Sequence, residues 1–230
     1  MKAFEEQIIS ELFNLRDEKY RDFISSLLPN VSKERIIGIR IPQLRKFAAK
    51  IKKDGRREEI LSLKLPLFYH EMTLLYGMII SQEKDFDRTL ELVERFLPHI
   101  DNWAACDLFS PKVLRQQPEK LIEMIRKWLL SERTYTVRFG LVQLMFFLDK
   151  GFDEEHLELA ANVKNDEYYI QMAQAWFFCE ALIRQYDKSL PYLTQYRLEK
   201  NVHNMTIKKA CESLKLSDEQ KEFIKQLKLK

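Results

Sequence analysis

Apolar positions recur three and four residues apart along nearly the whole chain, the spacing that gathers side chains on one face of a helix. Ile8, Ile9, Leu12 and Leu15 predict a first helix, and Phe23, Ile24, Leu27 and Leu28 a second. Pro42 is placed to open a third, through Leu44, Phe47, Ala48 and Ile51, because its fixed φ suits the first helical turn. Asp54-Gly55 then stops it. The same spacing predicts segments at about 58–64, 68–81, 85–97, 103–109, 118–131, 133–149, 153–163, 166–186, 189–198, 202–214 and 217–228. Pro66, Pro98, Pro111, Pro118 and Pro191 fall between them, where a missing N–H costs little. Gly151 follows an apolar run as a helix stop would, Asp153 and Asp166 stand at cap positions, and Ser217 opens a Ser-Asp-Glu-Gln capping box.

A dozen or so short helices with brief connections predict an all-α fold. The expected architecture is an α-solenoid of stacked antiparallel helix pairs, of the HEAT or armadillo type, whose period is ~40–47 residues. No long linker or low-complexity stretch divides residues 1–230, so a single repeat domain is expected. Composition agrees. Five glycines are too few for an all-β sandwich or a nucleotide-binding α/β fold with phosphate loops.

No stretch approaches the roughly 20 apolar residues of a membrane span. The opening MKAFEEQIISELF mixes acids with apolar residues, as an amphipathic helix does and a signal peptide does not. Cys106, Cys179 and Cys211 are scattered and odd in number, which offers neither a disulfide framework nor metal-ligand spacing. The expected compartment is a reducing cytoplasm, with nucleoid association in a bacterium. The net charge of +3 is small, but its distribution is uneven. Ten Lys or Arg residues lie between Lys33 and Arg57 against Glu34 and Asp54 alone, and eight lysines against four acids between Lys200 and Lys230. Basic ends fit a protein that turns one positive face to a polyanion, although a solvated lysine-rich surface explains either segment taken alone.

Four positions stand out as candidate chemistry. Trp103 and Asp107 are four apart, so a helix places them on one face with Ala104 and Ala105 between. An indole beside a carboxylate suits a cationic planar ligand; a core tryptophan with Asp107 as cap or salt-bridge partner is the alternative. Arg138 opens a helix that is apolar on nearly every face, and there it must meet an anion or reach solvent. A phosphate, Asp107 or a structural ion pair would each serve. Trp176 belongs to a stripe with Tyr169, Met172, Ala173 and Ile183, a pattern that is usually core but can project one member into a cleft. Asp101-Asn102 and the run His203 to Lys209 read as cap and surface. The chain has no phosphate-binding glycine loop, His-Glu-x-x-His motif or nucleophile elbow, and its four histidines are isolated, so no metal and no cofactor is expected.

Gly38-Ile39-Arg40-Ile41-Pro42-Gln43-Leu44-Arg45 and the basic helix after it resemble the N-terminal signature of the AlkD-like DNA alkylation repair family. Trp103-x-x-x-Asp107 is similar to that family's catalytic tryptophan and aspartate. Lys127-Trp128 and Val137-Arg138 leading Gln143-Leu144 resemble the segment bearing its active-site arginine, and Tyr169-Ile170-Gln171-x-Ala173-x-x-Trp176 the helix of its second cleft tryptophan. The resemblance implies a C-shaped HEAT-like solenoid holding duplex DNA in a positive groove. It also implies a monofunctional glycosylase of base excision repair that removes N3- and N7-alkylated purines without flipping the base into a pocket.

On that reading Asp107 stabilises charge on the deoxyribose, Trp103 and Trp176 pack against the sugar, and Arg138 holds the adjacent backbone. Arg40, Arg45, Lys46, Lys208 and Lys209 would track phosphates of the DNA. A monomer is expected. Where family members carry two adjacent tryptophans, this chain has Asn102-Trp103-Ala104, and Tyr20 and Phe23 compete for the place of the family's cleft tyrosine. Two further readings follow from the same residues: a non-catalytic DNA-binding solenoid for branched or damaged DNA, and a protein-interaction scaffold.

Overall fold

A computed structural model describes residues 2–230. Every regular element among them is helical. The chain packs as two compact units, Met1–Pro118 and Glu119–Lys230.

The first unit contains α1 (Lys2–Phe13), α2 (Glu18–Leu27), α3 (Ile41–Lys53), α4 (Arg57–Leu61), α5 (His70–Ile80), α6 (Phe86–Phe96) and α7 (Trp103–Leu108), with short 3-10 turns between some of them. Helix α5, HEMTLLYGMII, is apolar almost all round and buries every residue except Met78. A helix of that kind must be enclosed, and α3, α4, α6 and α7 pack around it. By contrast α3 and α6 are amphipathic; each buries one stripe and leaves its Lys, Arg and Glu residues to solvent.

The second unit contains α8 (Pro118–Leu129), α9 (Thr134–Leu144), α10 (Glu154–Ala161), α11 (Tyr168–Arg184), α12 (Tyr186–Ser189), α13 (Pro191–Thr194), α14 (Lys200–Glu212) and α15 (Asp218–Gln226). Its centre is α11, against which α9, α10, α12 and α14 pack. Two buried glutamines of α11 find backbone carbonyls of the preceding segment as acceptors for their amides. The Gln174 amide donates to Ala160 O at 2.7 Å and Val163 O at 3.1 Å, and the Gln171 amide to Asn165 O at 3.1 Å. Within each unit helices pack on their neighbours in the chain, the arrangement of an α-solenoid.

The helical segments fall where the apolar spacing places them, with informative departures. The segment expected at 189–198 holds one four-residue helix, Pro191–Thr194, and a second short helix, Tyr186–Ser189, ends where the expectation begins; Pro191 lacks the N–H that would join them into one helix. The segment expected at 133–149 leaves α-geometry at Leu144 and finishes as a 3-10 turn. Asp153 and Ser217 cap as expected, completed by His156 and Gln220. Asp166 does not cap α11. Glu167 occupies that position, and Asn165 Oδ1 accepts its N–H at 2.8 Å.

Candidate active-site cavity

The wall of the main candidate site begins with a buried loop. Ile36, Ile37, Gly38 and Ile39 are enclosed, and the N–H groups of 37, 38 and 39 need acceptors that no strand or helix supplies. Glu71, in the first turn of α5 and itself buried, supplies them. Its Oε2 accepts from Ile37 N at 2.9 Å, and its Oε1 from Gly38 N at 2.7 Å and Ile39 N at 3.3 Å. Gly38 has a φ of +93° and lies against α2; a Cβ there would fall 2.5 Å from Arg21 Cβ and 2.7 Å from Asp17 O. Glycine is the residue this conformation and approach admit. Arg21 latches the loop from the other side, donating from Nε to Ile36 O at 2.7 Å and from Nη2 to Lys33 O at 2.8 Å.

Helix α7 forms the opposite wall. Asn102 caps it, with Oδ1 accepting from Ala105 N at 2.9 Å, while Nδ2 donates to Asp101 Oδ1 at 2.8 Å and meets His70 Nδ1 at 3.3 Å. Asp101 is held by Arg35 at 2.7 Å. Trp103 is half-buried, packs with Ala104 against Leu28, Val31 and Ile36, and donates from Nε1 to Leu27 O at 3.1 Å. The expectation that 101–102 is a cap holds, but Asn102 is not surface: its exposure is 0%. Burying a side chain that bridges the helix end to His70 ties α7 to α5.

Between these walls lies a cavity of about 400 Å³. Trp103 and Asp107 share its lining with Tyr20 and Phe23 of α2, Ile39 of the loop, Ile41 at the start of α3, and His70 and Glu71 of α5. Phe23 is 57% exposed. The two aromatics competing for the family's cleft position therefore both face the same space. Burial raises the Tyr20 hydroxyl pKa, the Glu71 carboxylate adds to this, and Arg40 opposes it from 5.0 Å above the ring. Burial also lowers the His70 pKa, so its imidazole is neutral at pH 7.

Arg138 and Trp176 belong to the second unit. Arg138, 6% exposed on α9, donates from Nη1 to Tyr169 O at 2.8 Å. It thereby reaches the first turn of α11, the helix that carries Trp176. On α11, Tyr169, Met172, Trp176 and Ile183 are half-buried, whereas Ile170, Phe177, Phe178 and Ala181 are fully buried. The stripe expected as core is thus the less covered face of the helix, apart from Ala173, which is buried.

The basic candidates are dispersed. Arg40 is exposed and paired with Asp17 at 2.9 Å. The Tyr20 backbone N–H, and then Arg40, hold the Asp17 pKa below its ordinary value. Arg45 and Lys46 lie on the exposed side of α3, and Lys46 borders a separate cavity of about 550 Å³ with Glu11 and Lys50. In the second unit Lys208 lines a groove of about 630 Å³ with Lys221, Lys225 and Lys228, and Lys209 is half-buried. Among the described residues no group of three or more His, Cys, Asp or Glu side chains is placed to hold a metal ion. No helix among them is long and apolar enough to cross a membrane.

Sequence reasoning passed over His70, Glu71 and the buried role of Asn102. The signal for Glu71 was present, since it is the one formal charge in an otherwise apolar helix.

These observations define an all-helical protein whose aromatic-walled cavity carries a carboxylate beside a pinned tryptophan. The model of the DNA alkylation repair enzyme family matches residues 8–214, and the chain belongs to that family. No curated protein and no solved structure matches it significantly.

Proposed function

We propose that the protein is a DNA glycosylase that excises N3- and N7-alkylated purines from duplex DNA. The observation that carries this reading is the placement of Trp103 and Asp107 in the lining of one cavity with Tyr20 and Phe23. Alkylation at N3 or N7 makes the purine a cation. Heterolysis of its glycosidic bond then returns the bonding electrons to the base, which leaves neutral, and moves positive charge to the deoxyribose. Water adds to C1′ and loses one proton, giving an abasic site. Such a leaving group needs little acid catalysis; the requirement is an anion where the sugar charge develops. Asp107 supplies that anion and orients the water. Trp103 presents an aromatic face to the lesion-bearing nucleotide, held in place by its bond to Leu27 O. The resemblance implies further roles for Trp176, on the less covered face of α11, and for Arg138, and alanine variants of each in the base-release assay test them.

The test is release of free base from duplex DNA carrying 7-methylguanine. Wild type is expected to release it, and Asp107→Asn to do so about 100-fold or more slowly, the usual loss when one charge stabiliser is removed. DNA affinity should be nearly unchanged. Equal rates from both proteins would sink the assignment of Asp107.

A second reading, a non-catalytic DNA-binding protein, draws on the lysine-lined groove between α14 and α15. It requires strongly salt-dependent DNA binding with no base release under any condition.

A further inference from the structure

Asn201, Asn204, Met205, Lys208 and Cys211 recur three and four apart along α14, so they share one face of it. None of them is fully buried, and with α15 they border a groove of about 630 Å³. Its floor is apolar, with Ile207 buried and Met205 half-buried in the lining. The facing side carries Lys221, Lys225 and Lys228, and Glu222 is the one acid among the described residues of the lining.

That side is held in place by α14 itself. Asn204 donates from Nδ2 to Leu229 O at 3.0 Å, and its Oδ1 accepts from Leu229 N at 3.0 Å. His203 Nε2 donates to Leu227 O at 2.8 Å. Lys228 therefore sits between two tied residues, and a groove set in advance lowers the ordering cost of binding. Among the described residues Lys208 and Lys228 make no ion pair. Lys221 and Lys225 each face an acid one turn back on α15, Asp218 at 4.0 Å and Glu222 at 3.5 Å. Surface pairs of that kind contribute little, so the groove's positive charge is open to a partner.

An apolar floor rimmed by cations calls for an anion that also brings apolar side chains. A phosphodiester backbone offers the charge but nothing to cover Met205 and Ile207. All four cations are lysines, whereas bidentate phosphate recognition favours arginine. Three of them lie beyond residue 214, where the stretch matched by the family ends, so this groove is not part of what the family shares. A methionine thioether adapts to varied side chains, as peptide-binding surfaces require. From Asn201 to Cys211 the face is ~15 Å long at ~1.5 Å per residue, about three helical turns.

We propose that this groove docks an acidic amphipathic helix of a partner protein, with the helix's apolar stripe on Met205 and Ile207 and its carboxylates toward the lysines. The inference is independent of the glycosylase reading, and it gives these lysines a protein partner in place of DNA.

Fluorescence anisotropy tests it with a labelled synthetic peptide of about 12 residues, made of glutamate and leucine so that the leucines form one helical stripe. The salt is held at ~0.15 M, which screens attraction between exposed charges beyond ~8 Å. Two control peptides carry serine for every leucine, or lysine for every glutamate. Wild type is expected to bind the acidic amphipathic peptide roughly tenfold or more tightly than either control. Amide chemical-shift changes should concentrate in α14 and α15. Lys225→Glu combined with Lys228→Glu, both at exposed positions, should weaken binding by roughly tenfold or more while circular dichroism stays unchanged. Unlabelled duplex DNA should not displace the peptide. Equal binding of the serine control would reduce the groove to a general attractor of anions and overturn the proposal. Displacement by duplex DNA would overturn it in favour of a nucleic-acid contact. Absence of binding to wild type, or unchanged affinity in the double variant, overturns it as well. Should the double variant misfold, the three peptides, the shift map and the DNA competition on wild type decide alone.

Discussion

Replacing Glu71 isolates the contribution of the group that holds the cavity's loop. In Glu71→Ala the N–H groups of Ile37, Gly38 and Ile39 lose their acceptor together. A buried donor left unsatisfied costs about 1–3 kcal/mol, so three give an upper range of about 3–9 kcal/mol. Two effects reduce this. Removing the carboxylate recovers its desolvation penalty, several kcal/mol for a buried ion. The cavity beside it also admits water to some of the orphaned groups. The expected net loss is about 3–5 kcal/mol, comparable to breaking one partner of a buried charged pair. Glu71→Gln keeps one acceptor oxygen but turns an NH₂ toward a backbone N–H, and about 2 kcal/mol is expected. Urea unfolding at pH 7, followed by circular dichroism, measures both. Amide exchange at 37, 38 and 39 should accelerate in Glu71→Ala before global unfolding contributes. A loss below about 1 kcal/mol for the alanine variant, with those amides still protected, would refute the reasoning, because the bonds would then hold nothing the loop needs.

Gly38→Ala forces a side chain into a positive φ and onto Asp17 O and Arg21 Cβ, so a loss of about 3 kcal/mol or more is expected by urea unfolding; a loss under about 1 kcal/mol would show that the loop relaxes freely. Burial acts to raise the Glu83 pKa, but Arg57 at 2.5 Å and the Lys84 and Asp85 N–H groups outweigh it and bring it to about 2. A lowered folded pKa means stability that is full above the unfolded value of 4.5 and lost as pH falls toward about 2. The lowering corresponds to at most about 3 kcal/mol, and solvent screening of the pair reduces this to about 1–2 kcal/mol. Unfolding of wild type and Glu83→Gln across that window should converge at the acid end; parallel curves would remove Glu83 from the account. Phe23→Ala, at an exposed ring, should change stability by no more than about 0.5 kcal/mol yet slow base release; unchanged release would leave Tyr20 as the aromatic that matters in α2.

Most of the fold was legible because helical spacing records burial directly, and each unit is organised around one helix that is apolar on nearly every side. Where the expectation failed, a local effect had prevailed: Pro191 opening a short helix of its own, or Glu167 taking the cap position of α11 with its N–H held by Asn165. The site was half legible. Spacing put Trp103 and Asp107 on one face of α7, and the resemblance added Arg138 and Trp176. Periodicity could not show that α2 contributes both Tyr20 and Phe23, because their shared cavity depends on the long-range contact of α2 with the 36–39 loop. It also misjudged the stripe on α11. Spacing identifies a face, but whether that face is covered depends on which neighbours pack there.

Glu71 and His70 show how such conflicts between local pattern and burial point to a site. A first-turn Glu suits the helix dipole, yet in an enclosed apolar helix both His70 and Glu71 cost desolvation that alanine or leucine would not. Both are compensated by neighbours rather than by solvent. The Glu71 carboxylate is satisfied by three backbone donors of the loop, and the His70 ring is oriented by the cap of α7. The consequence is that the cavity's walls and its polar groups are set by the fold before any ligand arrives. A site arranged in this way does not have to reorganise dipoles as charge develops, which is the condition under which a carboxylate such as Asp107 stabilises a cationic transition state most effectively. The stability given up at the start of α5 and the electrostatics available at α7 are two aspects of one arrangement.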